Sequence, residues 1–336
     1  MNRTVLFAAL MVALGLGSGC LGDAPHDNPL DPNSDQFIDE GDLSGHITDR
    51  TEAPLDGAEV HLLPAPTSGK AERVTRTNAQ GRFELVGIPS GTGYQLRVHK
   101  EGYAVGMLDS LAVEAGLLLA VPVLRLNALP VLTSVTFHTV HISRWWPEND
   151  LYFLEVQTEV RDADGLFDIA GVWVEIPDLN FSLPLEPQAA GRFEKSIESD
   201  SLPTVSLQAL LGRTLRLNAR DQQGDSTRSA PQQLVRVIEE TPVAAGPQGL
   251  ALLETDRPTL TWEPFPPAFA FTYRIDVFRD EVNRTVLVET VEEISSDVTS
   301  MRLESSLASG AYFWTLSVID EFGNQSRSKE AGFRIP

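Results

Sequence analysis

Tyr152-Phe153-Leu154-Glu155-Val156-Gln157-Thr158-Glu159-Val160-Arg161 places Tyr152, Leu154, Val156 and Val160 at even spacing, with Glu155, Gln157, Glu159 and Arg161 between them. Successive side chains of a strand leave on opposite faces, so this segment has one apolar side and one polar side. Val172-Trp173-Val174-Glu175-Ile176 and Leu215-Arg216-Leu217-Asn218-Ala219-Arg220 repeat the pattern downstream. Upstream it recurs in Leu43-Ser44-Gly45-His46-Ile47, Ala58-Glu59-Val60-His61-Leu62, Arg82-Phe83-Glu84-Leu85 and Tyr94-Gln95-Leu96-Arg97-Val98. Turn formers separate these runs at Leu55-Asp56-Gly57, Asn78-Ala79-Gln80-Gly81 and Pro89-Ser90-Gly91. A strand with one apolar face needs a second sheet to cover it. The sequence therefore predicts an all-β chain of three consecutive β-sandwiches. Ala128-Leu129-Pro130 marks the first boundary, because proline cannot donate to a ladder, and the Pro-Ala-Gly stretch 241–248 marks the second. The expected domains span 42–127, 128–240 and 249–336.

The chain has 336 residues, 42% of them hydrophobic, which is enough for packed cores. Its 26 Lys and Arg face 47 Asp and Glu, a formal net charge of −21. Such a surface repels nucleic acid, and that class of partner is set aside. Cys20 is the only cysteine, so no disulfide within the chain is possible and each domain must hold itself by burial.

The segment 1–19 has one positive charge, an apolar run from Val5 to Leu16 and the small residues Gly17, Ser18 and Gly19. This is the pattern of a secretory signal, and its apolar run is shorter than the ~20 residues that span a bilayer. The small-small-Cys ending resembles a bacterial lipobox, although Leu16 stands one place earlier than that pattern has it. The resemblance implies that Cys20 is lipidated, becomes the first residue of the mature protein and holds it to a membrane. Leu21, a residue other than aspartate after the cysteine, implies passage to the outer membrane. Residues 20–41 read as an acidic tether: the stretch 22–42 holds seven acids, three prolines and no Lys or Arg, and should stay extended. Within it Asp27-Asn28-Pro29-Leu30-Asp31-Pro32 resembles a short motif that follows the lipidated cysteine of bacterial surface lipoproteins.

Four ordered blocks carry a further resemblance: Ser44-Gly45-His46-Ile47-Thr48-Asp49, Pro54-Leu55-Asp56-Gly57-Ala58-Glu59-Val60, Thr77-Asn78-Ala79-Gln80-Gly81-Arg82-Phe83 and Val98-His99-Lys100-Glu101-Gly102-Tyr103. Together they resemble the carboxypeptidase regulatory-like domain, a small transthyretin-like sandwich. The resemblance implies an accessory module without catalysis over 42–127. The middle unit resembles bacterial Ig-like modules through Val160-Arg161-Asp162-Ala163-Asp164-Gly165 and Ala219-Arg220-Asp221-Gln222-Gln223-Gly224. The last resembles a fibronectin type III domain through Leu260-Thr261-Trp262-Glu263-Pro264, Tyr273-Arg274-Ile275-Asp276-Val277 and Ala311-Tyr312-Phe313-Trp314. That resemblance makes Trp262 the buried tryptophan of an early strand and Tyr312 the tyrosine near the start of a late one.

No catalytic constellation is legible, and no cofactor is expected. None of the six histidines begins a His-x-x-Glu. His138 and His141 are three apart, which in a strand sends them to opposite faces. A Gly-x-Ser-x-Gly elbow and a phosphate loop are also missing. Asp162, Asp164 and Asp168 beside Gly165 are weak candidates for calcium, a hard cation served by clustered carboxylates; the expectation is a solvated turn capped by aspartates and no metal. Asp320-Glu321-Phe322-Gly323-Asn324 reads as a hairpin turn. Trp145-Trp146-Pro147 is a possible ligand-binding platform, since flat indoles hold sugar rings. In a strand one of the two would enter the core and the other would cover an edge. These readings lead to a non-enzymatic, lipid-anchored outer-membrane protein acting as a spacer or interaction module with an unknown envelope protein. The alternative is a surface lipoprotein that binds a polysaccharide.

Overall fold

The computed structural model describes residues 28–336 apart from 30, 32, 33, 35, 38, 67, 267, 282 and 283. The signal segment, Cys20 and the first part of the tether lie outside the described residues. Regular structure among the described residues consists of strands and 3-10 turns of three or four residues, so the fold is all-β. The described residues divide into two compact units, the first formed by those up to 48 together with 54–99 and 105–125, the second by 49–53, 100–104 and 126–336.

In chain order the first strands are β1 (Glu40–Asp49), β2 (Glu59–Leu63), β3 (Arg73–Arg76), β4 (Arg82–Pro89), β5 (Gly91–His99), β6 (Gly106–Val113), β7 (Leu118–Ala120) and β8 (Leu124–Leu126). Two sheets, β4-β1-β7 and β3-β2-β5-β6, make the first unit. The alternation read from the sequence is the burial pattern: Leu43 and Ile47, Val60 and Leu62, Phe83 and Leu85, and Tyr94, Leu96 and Val98 are all buried. Gly45 lies between Leu43 and Ile47 because the Phe83 ring packs on its bare backbone; a Cβ there would stand 2.6 Å from the ring. The tether gives way to strand earlier than expected. Glu40 and Gly41 already pair with Pro89 and Ile88, and a register shift follows before Leu43. Gly41 permits this approach, since a Cβ would meet the Glu114 carbonyl oxygen at 2.2 Å.

The second unit contains β9 (Val131–Ile142), β10 (Leu151–Arg161), β11 (Ile169–Ile176), β12 (Phe181–Pro184), β13 (Glu186–Pro187), β14 (Arg192–Glu198), β15 (Thr214–Asp221), β16 (Ser226–Arg228) and β17 (Gln232–Gln233). It continues with β18 (Ala244–Gly246), β19 (Ala251–Leu252), β20 (Thr259–Trp262), β21 (Phe271–Glu281), β22 (Arg284–Ser295), β23 (Ser300–Arg302), β24 (Gly310–Asp320), β25 (Gln325–Arg327) and β26 (Ala331–Ile335). Two hydrophobic clusters lie within it. One joins Leu154, Val156 and Ile197 to Val172, Val174, Leu215 and Leu217, so β10 and β14 cover β11 and β15. The other gathers Leu260, Trp262, Tyr273, Ile275, Trp314, Leu316 and Phe333.

These clusters share one long sheet, ordered β13-β14-β10-β9-β25-β24-β21-β22. The join is a parallel pairing of β25 with β9, in the register Gln325↔Val140, Ser326↔His141 and Arg327↔Ile142. The stretch 241–248, expected as a free linker, is also built in: Ala244 pairs with Trp262 and Gly246 with Thr261. Trp314 Nε1 donates to the Pro247 carbonyl oxygen at 2.9 Å. Trp262 is 3% exposed and meets Tyr273 edge-on, with centroids 5.5 Å apart. Tyr312 donates its hydroxyl to the Ala308 carbonyl oxygen at 2.8 Å, four residues upstream, as a tyrosine corner does.

Candidate functional site

Two loops of the second unit carry the sequence-expected site residues, and both leave the same antiparallel pair. Leu151 opposes Ile142 at one end of β9 and β10, and Arg161 opposes Val131 at the other. Residues 143–150 connect the strands at the first end, and residues 162–168 continue from β10 at the second.

Residues 143–150 are not strand, so the period-two rule does not govern Trp145 and Trp146. Neither indole enters the core: Trp145 is 63% exposed and Trp146 is 82% exposed. The expectation of one buried and one edge-covering indole is corrected accordingly. The loop is nonetheless held. Arg144 Nε donates to the carbonyl oxygens of Pro147 at 3.1 Å and Asn149 at 2.9 Å. Trp145 Nε1 donates to the Glu330 carbonyl oxygen at 2.7 Å, and Lys329 Nζ stands 4.5 Å from its ring centroid. Trp145 borders a cleft of about 260 Å³ shared with Ser143, Val243 and Lys329. It borders another of about 380 Å³ shared with Leu250, Asp280 and Phe313. The platform therefore combines two accessible indoles with nearby hydrogen-bonding groups.

His141 lies under this loop and is buried, facing acceptors with both ring nitrogens. Nδ1 is 3.1 Å from the Ile238 carbonyl oxygen and Nε2 is 3.0 Å from Asp150 Oδ2. Its ring stacks on Tyr152 at 4.2 Å between centroids. Burial, then the charges of Asp150 and Glu239, push the Tyr152 phenol above its ordinary range. His138, three residues earlier, pairs with Glu155 across β10 and is held below the ordinary imidazole range, chiefly by burial.

At the other end the chain turns through Asp162-Ala163-Asp164-Gly165 into a 3-10 turn at Leu166–Asp168 and then β11. Gly165 has φ 106, a region that favours glycine, and a Cβ would stand 2.6 Å from the Phe167 ring. The turn is not solvated as expected: Asp164 is 2% exposed and Asp168 3% exposed. Asp162 Oδ1 accepts from the Asp164 N–H at 2.8 Å, as a turn cap does. Asp164 reaches further, accepting from the N–H of Arg50 at 3.2 Å and of Ala128 at 2.8 Å. Asp221, at the end of β15, accepts from the N–H of Gln223 and Asp225, both at 2.9 Å. The turn after β24 has the same build, with Asp320 Oδ1 accepting from the N–H of Phe322 and Asn324. The hairpin reading of 320–324 describes it well. Sequence reasoning missed Asp221 as a neighbour of the 162–168 loop; the Ile169↔Asp221 pairing and the Gln222 N–H, which donates to the Asp168 carbonyl oxygen at 2.7 Å, bring them together.

Among solved structures the chain resembles a DUF3823 family protein from Parabacteroides merdae, at 11% identity over 59% of this chain and 99% of that one, with a TM-score of 0.26. The chicken CNTN1 FN1–FN3 domains align at 11% identity over 89% of this chain and 99% of that one, with a TM-score of 0.32. Fibronectin(III)-like modules of Clostridium thermocellum CbhA align at 12% identity, covering 62% of this chain and 93% of that one, with a TM-score of 0.28. No curated protein matches the sequence. Over residues 42–123, nearly the stretch on which the four blocks were read, the chain is similar to the carboxypeptidase regulatory-like domain.

Proposed function

We propose that the chain is a non-enzymatic, lipid-anchored protein of the outer membrane, tethered through Cys20, whose sandwiches act as a spacer or protein-interaction arm. The carrying observation is an all-β build that opens, after the tether, on a regulatory-like domain at 42–123. Sandwiches of this kind present loops and edges from rigid sheets, and that geometry suits recognition and spacing. The test is membrane fractionation of cells making the full chain or its Cys20→Ser variant. Membrane association of the wild type and release or blocked processing of the variant support the reading. A variant that stays membrane-bound and normally processed contradicts it.

A second reading, polysaccharide binding, is favoured by the exposure of both indoles, Trp145 at 63% and Trp146 at 82%. Aromatic faces of this size bury apolar sugar surface without a deep pocket. A glycan array probed with the full chain tests it. Retention that disappears in Trp145→Ala and Trp146→Ala supports sugar binding, and no retention on any glycan rejects it.

A further inference from the structure

The acids around Gly165 are packed more closely than turn capping requires. One carboxylate oxygen each from Asp162, Asp164 and Asp168 lies within 4.8 Å of the other two. Ca–O bonds run about 2.3–2.6 Å, so three oxygens at such separations can surround a single ion.

Clustering alone would carry nothing, but hydrogen bonding gives an independent observation. Asp168 is 97% buried, given its 3% exposure, and its Oδ2 has no hydrogen-bond partner. Its other oxygen meets only Gln223 Nε2, at a long 3.4 Å. Asp162 Oδ2 is also buried without a partner. So is Asn127 Oδ1, whose amide nitrogen is held by Asp221 Oδ2 at 2.8 Å and Asp225 Oδ2 at 2.9 Å. Buried polar atoms are nearly always paired, and an unpaired ionised oxygen is the most costly kind.

Charge points the same way. Three carboxylates share this space, and the Ile169↔Asp221 pairing brings a fourth beside the loop. The sister turn shows the contrast. There Asp320 Oδ1 also accepts the N–H two residues on, as Asp162 Oδ1 does, but Arg236 Nη1 lies 2.6 Å from its Oδ2 and balances it. Around Asp162 the clustered groups are all carboxylates.

We infer that the 162–168 loop binds one calcium ion through carboxylate oxygens of Asp162, Asp164 and Asp168. The donor set is oxygen only, with no histidine or thiol, which selects a hard cation. The ion supplies the missing partner for the two orphaned oxygens and the positive charge that arginine supplies to Asp320. Asp164 is held in place for this role by the N–H groups of Arg50 and Ala128.

The test uses the full chain, stripped with a chelator and titrated with calcium chloride by calorimetry and by thermal melting. One saturable site is expected, in the range of about 10⁻⁴–10⁻³ M typical of extracellular modules, with a higher melting temperature in millimolar calcium. Asp168→Asn keeps the side chain's shape, removes a ligand charge and should weaken binding about tenfold or more. Asp162→Asn, at a less buried position, should do the same and serves if Asp168→Asn does not fold. Asp178→Asn, on an exposed turn outside the cluster, should bind as wild type does. Absence of both heat and melting shift in the wild type overturns the inference, as does calcium binding that survives unchanged in the folded Asp162 or Asp168 variant. Equal stabilisation by magnesium chloride overturns the assignment to calcium.

Discussion

Asn324 holds Thr139 across 185 residues of sequence: its Oδ1 accepts from the Thr139 N–H at 2.9 Å and from Thr139 Oγ1 at 3.1 Å. Asn324 Nδ2 turns back to Asp320 Oδ2 at 3.0 Å. One side chain thus ties the turn after β24 to β9, beside the parallel β25–β9 pairing that joins the two halves of the second unit. Both residues are buried, at 2% and 1% exposure, so water cannot replace what Asn324 supplies.

Asn324→Ala should therefore destabilise the second unit by about 1–3 kcal/mol, the cost of leaving a buried donor unmade. In a unit of this size that lowers the melting temperature by about 2–4 °C per kcal/mol. Scanning calorimetry of the full chain measures it, and a melting temperature equal to wild type would show that the contact bears no weight.

Trp262→Ala should cost about 3–5 kcal/mol, because it empties a site packed against Tyr273. The Trp262 Nε1 is buried without a partner, so Trp262→Phe, which removes that orphan, should cost far less. Since β9 and β25 belong to one sheet, loss of hydrogen-exchange protection in Trp262→Ala should spread from β20 and β21 into β9. Exchange that rises in 249–336 and stays unchanged in Val131–Ile142 would mean that the two halves unfold independently.

Strand alternation was legible where a strand buries one face, as β10 does with Leu154 and Val156 and β5 with Leu96 and Val98. Trp262 was legible by period and by resemblance, and Tyr312 by resemblance. The β9–β25 join was not, because parallel pairing of residues 185 apart leaves no local pattern, and Ser326 and His141 look like ordinary polar strand positions. The two indoles misled the strand rule because residues 143–150 form a loop, where side-chain direction follows local hydrogen bonds such as Trp145 to Glu330. The burial of Asp164 and Asp168 was hidden too, since it depends on Arg50, Ala128 and Asp221, which are distant in sequence.

His138 sets the expected response to mild acid. Burial lowers its folded-state pKa, and the Glu155 and Asp320 charges raise it by less. The unfolded chain, with its imidazole near 6.5, then binds more protons than the folded one as pH falls. The neutral ring's contribution is present above about pH 6.5 and is lost as pH drops toward the lowered folded value. Melting curves between pH 7.5 and pH 5, run on wild type and His138→Gln, measure this. The variant should show a shallower loss of stability in that window, and identical slopes would remove His138 as the cause.

Anchoring through Cys20 is the claim on which the functional account turns, and intact mass of the protein extracted from membranes tests it most directly. The account predicts a mature chain that begins at Cys20 and is heavier than its sequence by a diacylglycerol and a further acyl group, with both additions lost in Cys20→Ser. A membrane-extracted chain that retains residues 1–19, or that begins elsewhere with no added lipid, would contradict it.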